Sequence, residues 1–139
     1  MFCSIYMCNS MLIIPTLGKV GNNSGYRDIE PVLCIHLSEE PEIRQAMKRV
    51  FMSENPIIKR PDYPLTPVVL KYANVKTWAE FSRKSKLWHV SRDKNRYIIY
   101  RTKRNGSSWV PERGQNLEFP IETSVEDVVE YVIELIRSS

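Results

Sequence analysis

The sequence has few of the residues on which disulfide frameworks, metal sites and most catalytic centres depend. Among its 139 residues are three cysteines, Cys3, Cys8 and Cys34, and two histidines, His36 and His89. An odd number of cysteines cannot pair completely, and no cysteine or histidine has the spacing of a zinc ligand set. We therefore expect reduced thiols, a cytoplasmic location and no bound metal.

Glycine-rich loops and long apolar runs are also missing. The five glycines form neither G-x-G-x-x-G nor the Walker A pattern, so we expect no nucleotide or other cofactor. The longest apolar runs, such as Met11 to Ile14, are far shorter than the ~20 residues of a membrane span. The first residues lack the basic segment of a secretory signal. The chain is expected to be a single domain, residues 1–139, without a membrane span.

Charge is unevenly distributed along the chain, although the net charge is only +4. The segment from Arg83 to Arg104 contains nine basic residues and one acidic residue, Asp93. The segment from Gln115 to Ser139 contains six acidic residues and one basic residue, Arg137. This pattern predicts one strongly basic surface and one acidic surface.

The spacing of apolar residues predicts two main amphipathic helices. One extends from Val125 to Arg137 and has Ser124 as its N-cap. The other extends from Glu39 to Met52 with Ser38 as its N-cap. The apolar stripes consist of Val125, Val128, Val129, Val132, Ile133 and Ile136 in the first helix, and of Ile43, Ala46, Met47, Val50 and Phe51 in the second.

Short apolar segments between turn residues predict an antiparallel sheet. The expected strands are 5–8, 11–15, 32–37, 67–72, 87–92, 96–102 and 117–121, with hairpin turns at Asn9-Ser10 and Asp93–Asn95 and a further turn at Asn105-Gly106. Four prolines, Pro56, Pro61, Pro64 and Pro67, predict a long loop over 55–67. A short third helix is expected at 77–83. The fold class is α+β, with an antiparallel sheet packed against two main amphipathic helices.

No arrangement of side chains in the sequence demands catalysis. Nucleophilic catalysis needs a nucleophile, a base and an orienting group, and neither His36 nor His89 lies in such a motif. The acidic cluster at the start of the helix predicted from Glu39 to Met52, which consists of Glu39, Glu40 and Glu42, is explained by the helix dipole. We therefore expect that the protein is not an enzyme, and a small hydrolase using a histidine remains a distant alternative.

The basic segment is the strongest functional feature of the sequence because aromatic residues alternate with its charges. Trp88, Tyr97, Tyr100 and Trp109 could stack on bases while lysine and arginine side chains bind phosphates. The same residues could form a protein-binding face. They could also form an ordinary solvated hairpin whose aromatic rings point into the core.

Three segments carry a resemblance to a known family. The segment Pro67–Leu87, PVVLKYANVKTWAEFSRKSKL, resembles a stretch of the immunity proteins of bacterial contact-dependent growth inhibition (CDI) systems. The segment Phe119–Asp127 is similar to that family's C-terminal end, and Glu30–Leu33 with the helix after Ser38 fits its first half. The resemblance extends from about Ile5 to Ser138.

The resemblance implies a function in bacterial competition. Such a protein binds a cognate CDI toxin domain in the cytoplasm, inhibits it without catalysis, and needs no cofactor or membrane. We expect a monomer when free, and a small basic nucleic-acid-binding module is the alternative. The opposite choice for the partner-binding surface is the acidic side of the last helix, with Glu126, Glu130 and Glu134. We predict that the partner binds on the basic side, through Arg92, Lys94, Tyr97, Arg101, Lys103, Arg104 and Trp109.

Overall fold

Strand β1 lies at the centre of an antiparallel sheet in the computed structural model, which describes residues 1–21, 25–60 and 66–139. The strand order is β3-β2-β1-β5-β6-β7, with β4 beside β2 and β8 beside β6. The α+β class predicted from the sequence is confirmed. The strands are β1 Phe2–Cys8, β2 Met11–Val20, β3 Tyr26–His36, β4 Ile57–Ile58, β5 Ser85–Arg92, β6 Arg96–Asn105, β7 Ser108–Pro111 and β8 Leu117–Pro120.

The predicted turns are present. Asn9 and Ser10 connect β1 to β2 with φ values of 51° and 65°, as a two-residue hairpin turn with positive φ requires. At the β5–β6 hairpin, Asp93 Oδ1 accepts hydrogen bonds from the backbone N–H groups of Asn95 and Arg96 at 2.7 and 3.0 Å. Gly106, with φ of 64°, lies in the turn between β6 and β7.

Among the described residues three α-helices accompany the sheet: α1 Glu40–Phe51, α2 Trp78–Lys84 and α3 Val125–Arg137. Ser124 Oγ accepts from the Asp127 N–H, so the predicted cap of α3 is confirmed. The predicted Ser38 cap of α1 is wrong, because Glu39 occupies the N-cap position and makes no side-chain cap. The Ser38 hydroxyl instead contacts His36 Nδ1 at 2.8 Å. No helix in the described part of the chain is both long and apolar enough to span a bilayer.

Both faces of the sheet are covered, and the alternation of side chains along each strand divides the core into two parts. Helices α1 and α3 pack on one face, which we call the helix face, against residues such as Ile5 of β1 and Val90 of β5. The opposite face packs Tyr6 and other side chains against α2 and a 3₁₀ helix, Val68–Leu70. Strand β1 is therefore buried on both sides, which explains its nearly continuous apolar sequence.

The strand predicted at 67–72 is wrong. The segment instead forms the 3₁₀ helix Val68–Leu70, in which the Tyr72 N–H donates to the Val69 carbonyl at 3.2 Å. Its apolar residues Val69 and Leu70 are buried against the opposite face, so a helical turn accounts for the same apolar run. Within the predicted loop 55–67, Ile57–Ile58 pairs with β2 as β4, whereas Pro61 and Pro64 lie outside the described residues.

We predict that Ile133→Ala lowers the free energy of unfolding by about 2–5 kcal/mol, because the side chain is buried between α3 and the sheet and its removal leaves a cavity. The matched control is Glu134→Ala at the adjacent, exposed position, with an expected change within about 0.5 kcal/mol. Denaturant unfolding measures both values. Equal losses of stability in the two variants would contradict the packing of Ile133 against the sheet.

Candidate functional site

The structure separates the predicted partner-binding residues along β6. Arg92 and Tyr97 form a cross-strand pair near the β5–β6 turn, which contains Lys94. Arg101, Lys103 and Arg104 lie toward the other end of β6, and Trp109 lies opposite Arg104 on β7. The seven residue steps from Tyr97 to Arg104 correspond to roughly 23 Å. The predicted set therefore does not form one surface.

Tyr97 is a correction to the predicted set. Its side chain is 3% exposed and lies in the core beneath α1 and α3, next to Ile99 two residues along the same strand. A buried ring cannot anchor a partner. Trp88 is also buried, at 4% exposure, so two of the four aromatic residues of the basic segment belong to the core.

Arg92 has a structural role. Its Nε donates to the carbonyl of Phe51, the last residue of α1, at 2.8 Å. A second guanidinium nitrogen binds Glu54 Oε1 at 2.9 Å, and this hydrogen bond holds the pKa of the carboxyl below its usual value. The cation thus satisfies a carbonyl at the C-terminal end of α1 and joins the helix to β5.

The remaining predicted residues line a cleft at the far end of β6. Strands β5 and β6 pair from Arg92–Tyr97 to Trp88–Arg101, after which β6 pairs with β7 instead. The two strands leave between them a cleft of about 410 Å³ that also reaches the end of α2. Its basic lining residues are Arg83, Lys86, Arg101, Lys103 and Arg104, and the acidic side chain in the lining is Glu112.

No ion pair within the described residues compensates the positive side chains of this basic cleft, which Glu112 and Ser139 also line. None of its five basic side chains forms an ion pair with any residue in 1–21, 25–60 or 66–139. By contrast, Arg92 and Arg96 at the other end of the hairpin pair with Glu54 and Glu118 at 2.9 and 3.0 Å. The basic side chains of the cleft are therefore free of ion pairs to the described residues, and Arg104 donates to the Gly106 carbonyl at 2.8 Å.

An aromatic cluster, formed by Tyr6, Trp78 and Trp109, packs beside the cleft. Trp109 of β7 packs edge-on against Tyr6, with ring centroids 5.8 Å apart, and against Trp78 of α2 at 5.7 Å. Trp78 Nε1 donates to the Ser107 carbonyl at 2.8 Å, which ties the β6–β7 turn to α2. These contacts hold the cleft on regular structure rather than on a free loop.

The acidic surface considered as the opposite choice is largely paired. Lys48 of α1 binds Glu126 of α3 at 2.6 Å, and Arg44 binds Glu130. Both interactions hold the pKa of the glutamate below its usual value. Because these pairs are solvent-exposed, they contribute little to stability, but they neutralise much of the charge that a basic partner would recognise.

The histidines show no catalytic arrangement within the described residues. Ser4 Oγ lies 3.1 Å from His89 Nδ1, but Ser4 is 4% exposed and no described carboxylate hydrogen-bonds to His89. Burial lowers the pKa of His89, so the ring is neutral at pH 7. Within the described part of the chain no His, Cys, Asp and Glu residues cluster as a metal site would require. Ser4 and His89 form a polar contact between the neighbouring strands β1 and β5.

Ser85 was not among the residues predicted from the sequence to form the site. The one feature of the sequence that points to Ser85 is its position between basic residues. Its burial depends on strand pairing, which is not visible in the sequence. In the structure Ser85 pairs with Cys8 of β1, is buried, and lines the basic cleft. Arg83 and Lys86 contributed to the predicted charge but were not assigned to the site, and the structure places both in the lining.

No protein-family model and no curated protein matches the chain. Solved structures do match, and two of them follow. One is a protein of unknown function, NMB0488, from Neisseria meningitidis, with a TM-score of 0.66 and 12% identity over 98% of this chain and 93% of that one. The other is a chain of a CdiA-CT/CdiI toxin and immunity complex from Yersinia pseudotuberculosis, with a TM-score of 0.65 and 11% identity over 98% and 95%. The shared property is the fold.

We predict that Arg92→Ala lowers the free energy of unfolding by about 1–3 kcal/mol, because it leaves the Phe51 carbonyl without its partner. Lys94→Ala, in the same hairpin but fully exposed, is the control and should change stability by less than about 0.5 kcal/mol. Urea unfolding distinguishes the two. A larger loss for Lys94→Ala would show that Arg92 does not join α1 to the sheet.

Proposed function

We propose that this chain is a CDI immunity protein, which binds a cognate toxin domain in the cytoplasm and neutralises it without catalysis. The observation that carries the proposal is the fold likeness to a toxin and immunity complex over nearly the whole of both chains. The resemblance of segment Pro67–Leu87 to the same family supports it independently of the fold.

The basic cleft is the proposed centre of the contact. Uncompensated charge at the cleft can accelerate encounter with a partner of opposite charge and disfavour partners of like charge. A stable interface buries about 800 Å² on each partner, which is more than the cleft alone can supply. The exposed surfaces of the β6–β7 hairpin and of the end of α2 border the cleft and would complete the interface.

Nucleic-acid binding is the alternative that the cleft's charge favours. A single-strand-binding surface needs exposed rings between the cations, and burial of Trp88 and Tyr97 leaves only Tyr100 and Trp109 of the original four, both half-buried. The structure therefore offers little support for base stacking on aromatic rings, whereas the basic residues of the cleft could still bind phosphates.

The proposal predicts protection from the toxin domain encoded beside this gene. Co-expression of that domain with this chain should restore growth of a host that the domain alone inhibits. The purified proteins should form a 1:1 complex with a Kd below about 1 μM, measured by calorimetry. A toxin domain from a different CDI system is the control, and growth should stay inhibited. Failure to bind and to protect would overturn the proposal.

For RNA and duplex DNA we predict binding no tighter than about 1 μM at physiological salt, as expected for non-specific phosphate contacts. Fluorescence anisotropy at low and physiological salt measures this affinity and its salt dependence. Sub-micromolar affinity that persists at physiological salt would instead favour the nucleic-acid alternative.

A further inference from the structure

Two buried polar atoms have no hydrogen-bond partner among the described residues. They are Ser85 Oγ and Trp109 Nε1. Trp78, the neighbouring tryptophan, differs because its Nε1 donates to the Ser107 carbonyl at 2.8 Å. Buried donors are nearly always satisfied in folded proteins, so each exception requires an explanation.

Both atoms belong to side chains that line the basic cleft. Ser85 stands at the start of β5, and Trp109 on β7 is the cross-strand partner of Arg104. The indole N–H can only donate, and a guanidinium carries five donors and no acceptor. The ligand that fits this set is therefore an oxygen acceptor with negative charge.

The described lining favours a compact anionic group over an extended one. The five basic residues line one cleft, and Arg92 and Arg96 at the other end of the hairpin are already paired. The residues between these two groups on β6, 97–100, are not basic, so unpaired charge does not form a continuous track along the strand. Trp109 packs against Tyr6 and Trp78, and its N–H, like the Ser85 hydroxyl, is buried away from bulk water. A planar carboxylate also matches the paired donors of a guanidinium.

We propose that the basic cleft receives one Asp or Glu side chain of the toxin domain, with the surrounding cations neutralising its charge. Because Trp109 Nε1 and Ser85 Oγ have almost no exposed surface in the free chain, side chains of the cleft move on binding so that these two atoms can donate to the carboxylate oxygens. This inference rests on the proposed function and extends it to a defined contact. Arg101, Lys103 and Arg104 supply positive charge from β6, and Lys103 and Arg104 are exposed.

The charge part of the inference is tested with two matched substitutions on the same hairpin. Lys103 lies at the cleft and Lys94 lies in the β5–β6 turn, and both side chains are exposed. Replacing either lysine with glutamate changes the net charge by the same amount. We expect Lys103→Glu to raise the Kd for the toxin domain about 10-fold or more, and Lys94→Glu to change it less than about 3-fold. Equal effects would show that only net charge matters and would overturn the inference.

The donor part is tested with Trp109→Phe, which removes the N–H and keeps a ring in the aromatic cluster. A lost hydrogen bond to a carboxylate should raise the Kd about 10- to 100-fold. The thermal midpoint of the free protein should not fall, because the N–H has no described internal partner. A lower midpoint with an unchanged Kd would mean that the donor is used within the fold and would overturn the inference.

The carboxylate itself is located by changing each exposed Asp and Glu of the toxin domain to Asn or Gln. One such change should raise the Kd for the wild-type chain. It should change the Kd for the Trp109→Phe chain little, because both substitutions remove the same contact. If the wild-type chain binds and protects but no acidic position couples to Trp109, this inference fails and the proposed function stands. If the wild-type chain does not bind the toxin domain, both fail.

Discussion

The pairing of β1 with β5 is the constraint on which the rest of the structure depends. It runs in register from Phe2–Ser91 to Cys8–Ser85 and joins the first hairpin to residues far along the chain. Because β1 is buried on both faces, this pairing creates the surface on which α1 and α3 pack and, on the opposite face, the surface that α2 covers. Such distant contacts are entropically costly to close, and burial of both faces offsets that cost.

The basic cleft follows from the same pairing. Strand β5 stays on β1 to its first residue, Ser85, whereas β6 leaves β5 after Arg101 and continues with β7. The sheet therefore divides at one end, and the contact of Trp109 with Trp78 holds the departing hairpin against α2. Cations at the ends of these elements line the same cleft, although Arg83 and Arg101 are 18 positions apart in the sequence.

The sequence allowed the local parts of this fold to be predicted. The periodicity of α3, its Ser124 cap and the β1–β2 and β5–β6 turns are encoded within a few residues, and all are present. The 3₁₀ helix Val68–Leu70 was misassigned because a short apolar run suits a buried turn as well as a strand. Both faces of β6 carry aromatic residues, so the inward direction of Tyr97 depended on strand pairing that no local pattern specifies.

Hydrogen exchange measured with and without the toxin domain tests the central claim, that the basic cleft is where this chain meets its partner. The account predicts that protection on binding is concentrated in Arg83–Trp88 and Arg101–Glu112, the segments that border the cleft. Amides on α1 and α3 should exchange alike in both states. Protection confined to the outer face of α3, around Glu126 and Glu130, with the cleft segments unchanged, would contradict the account.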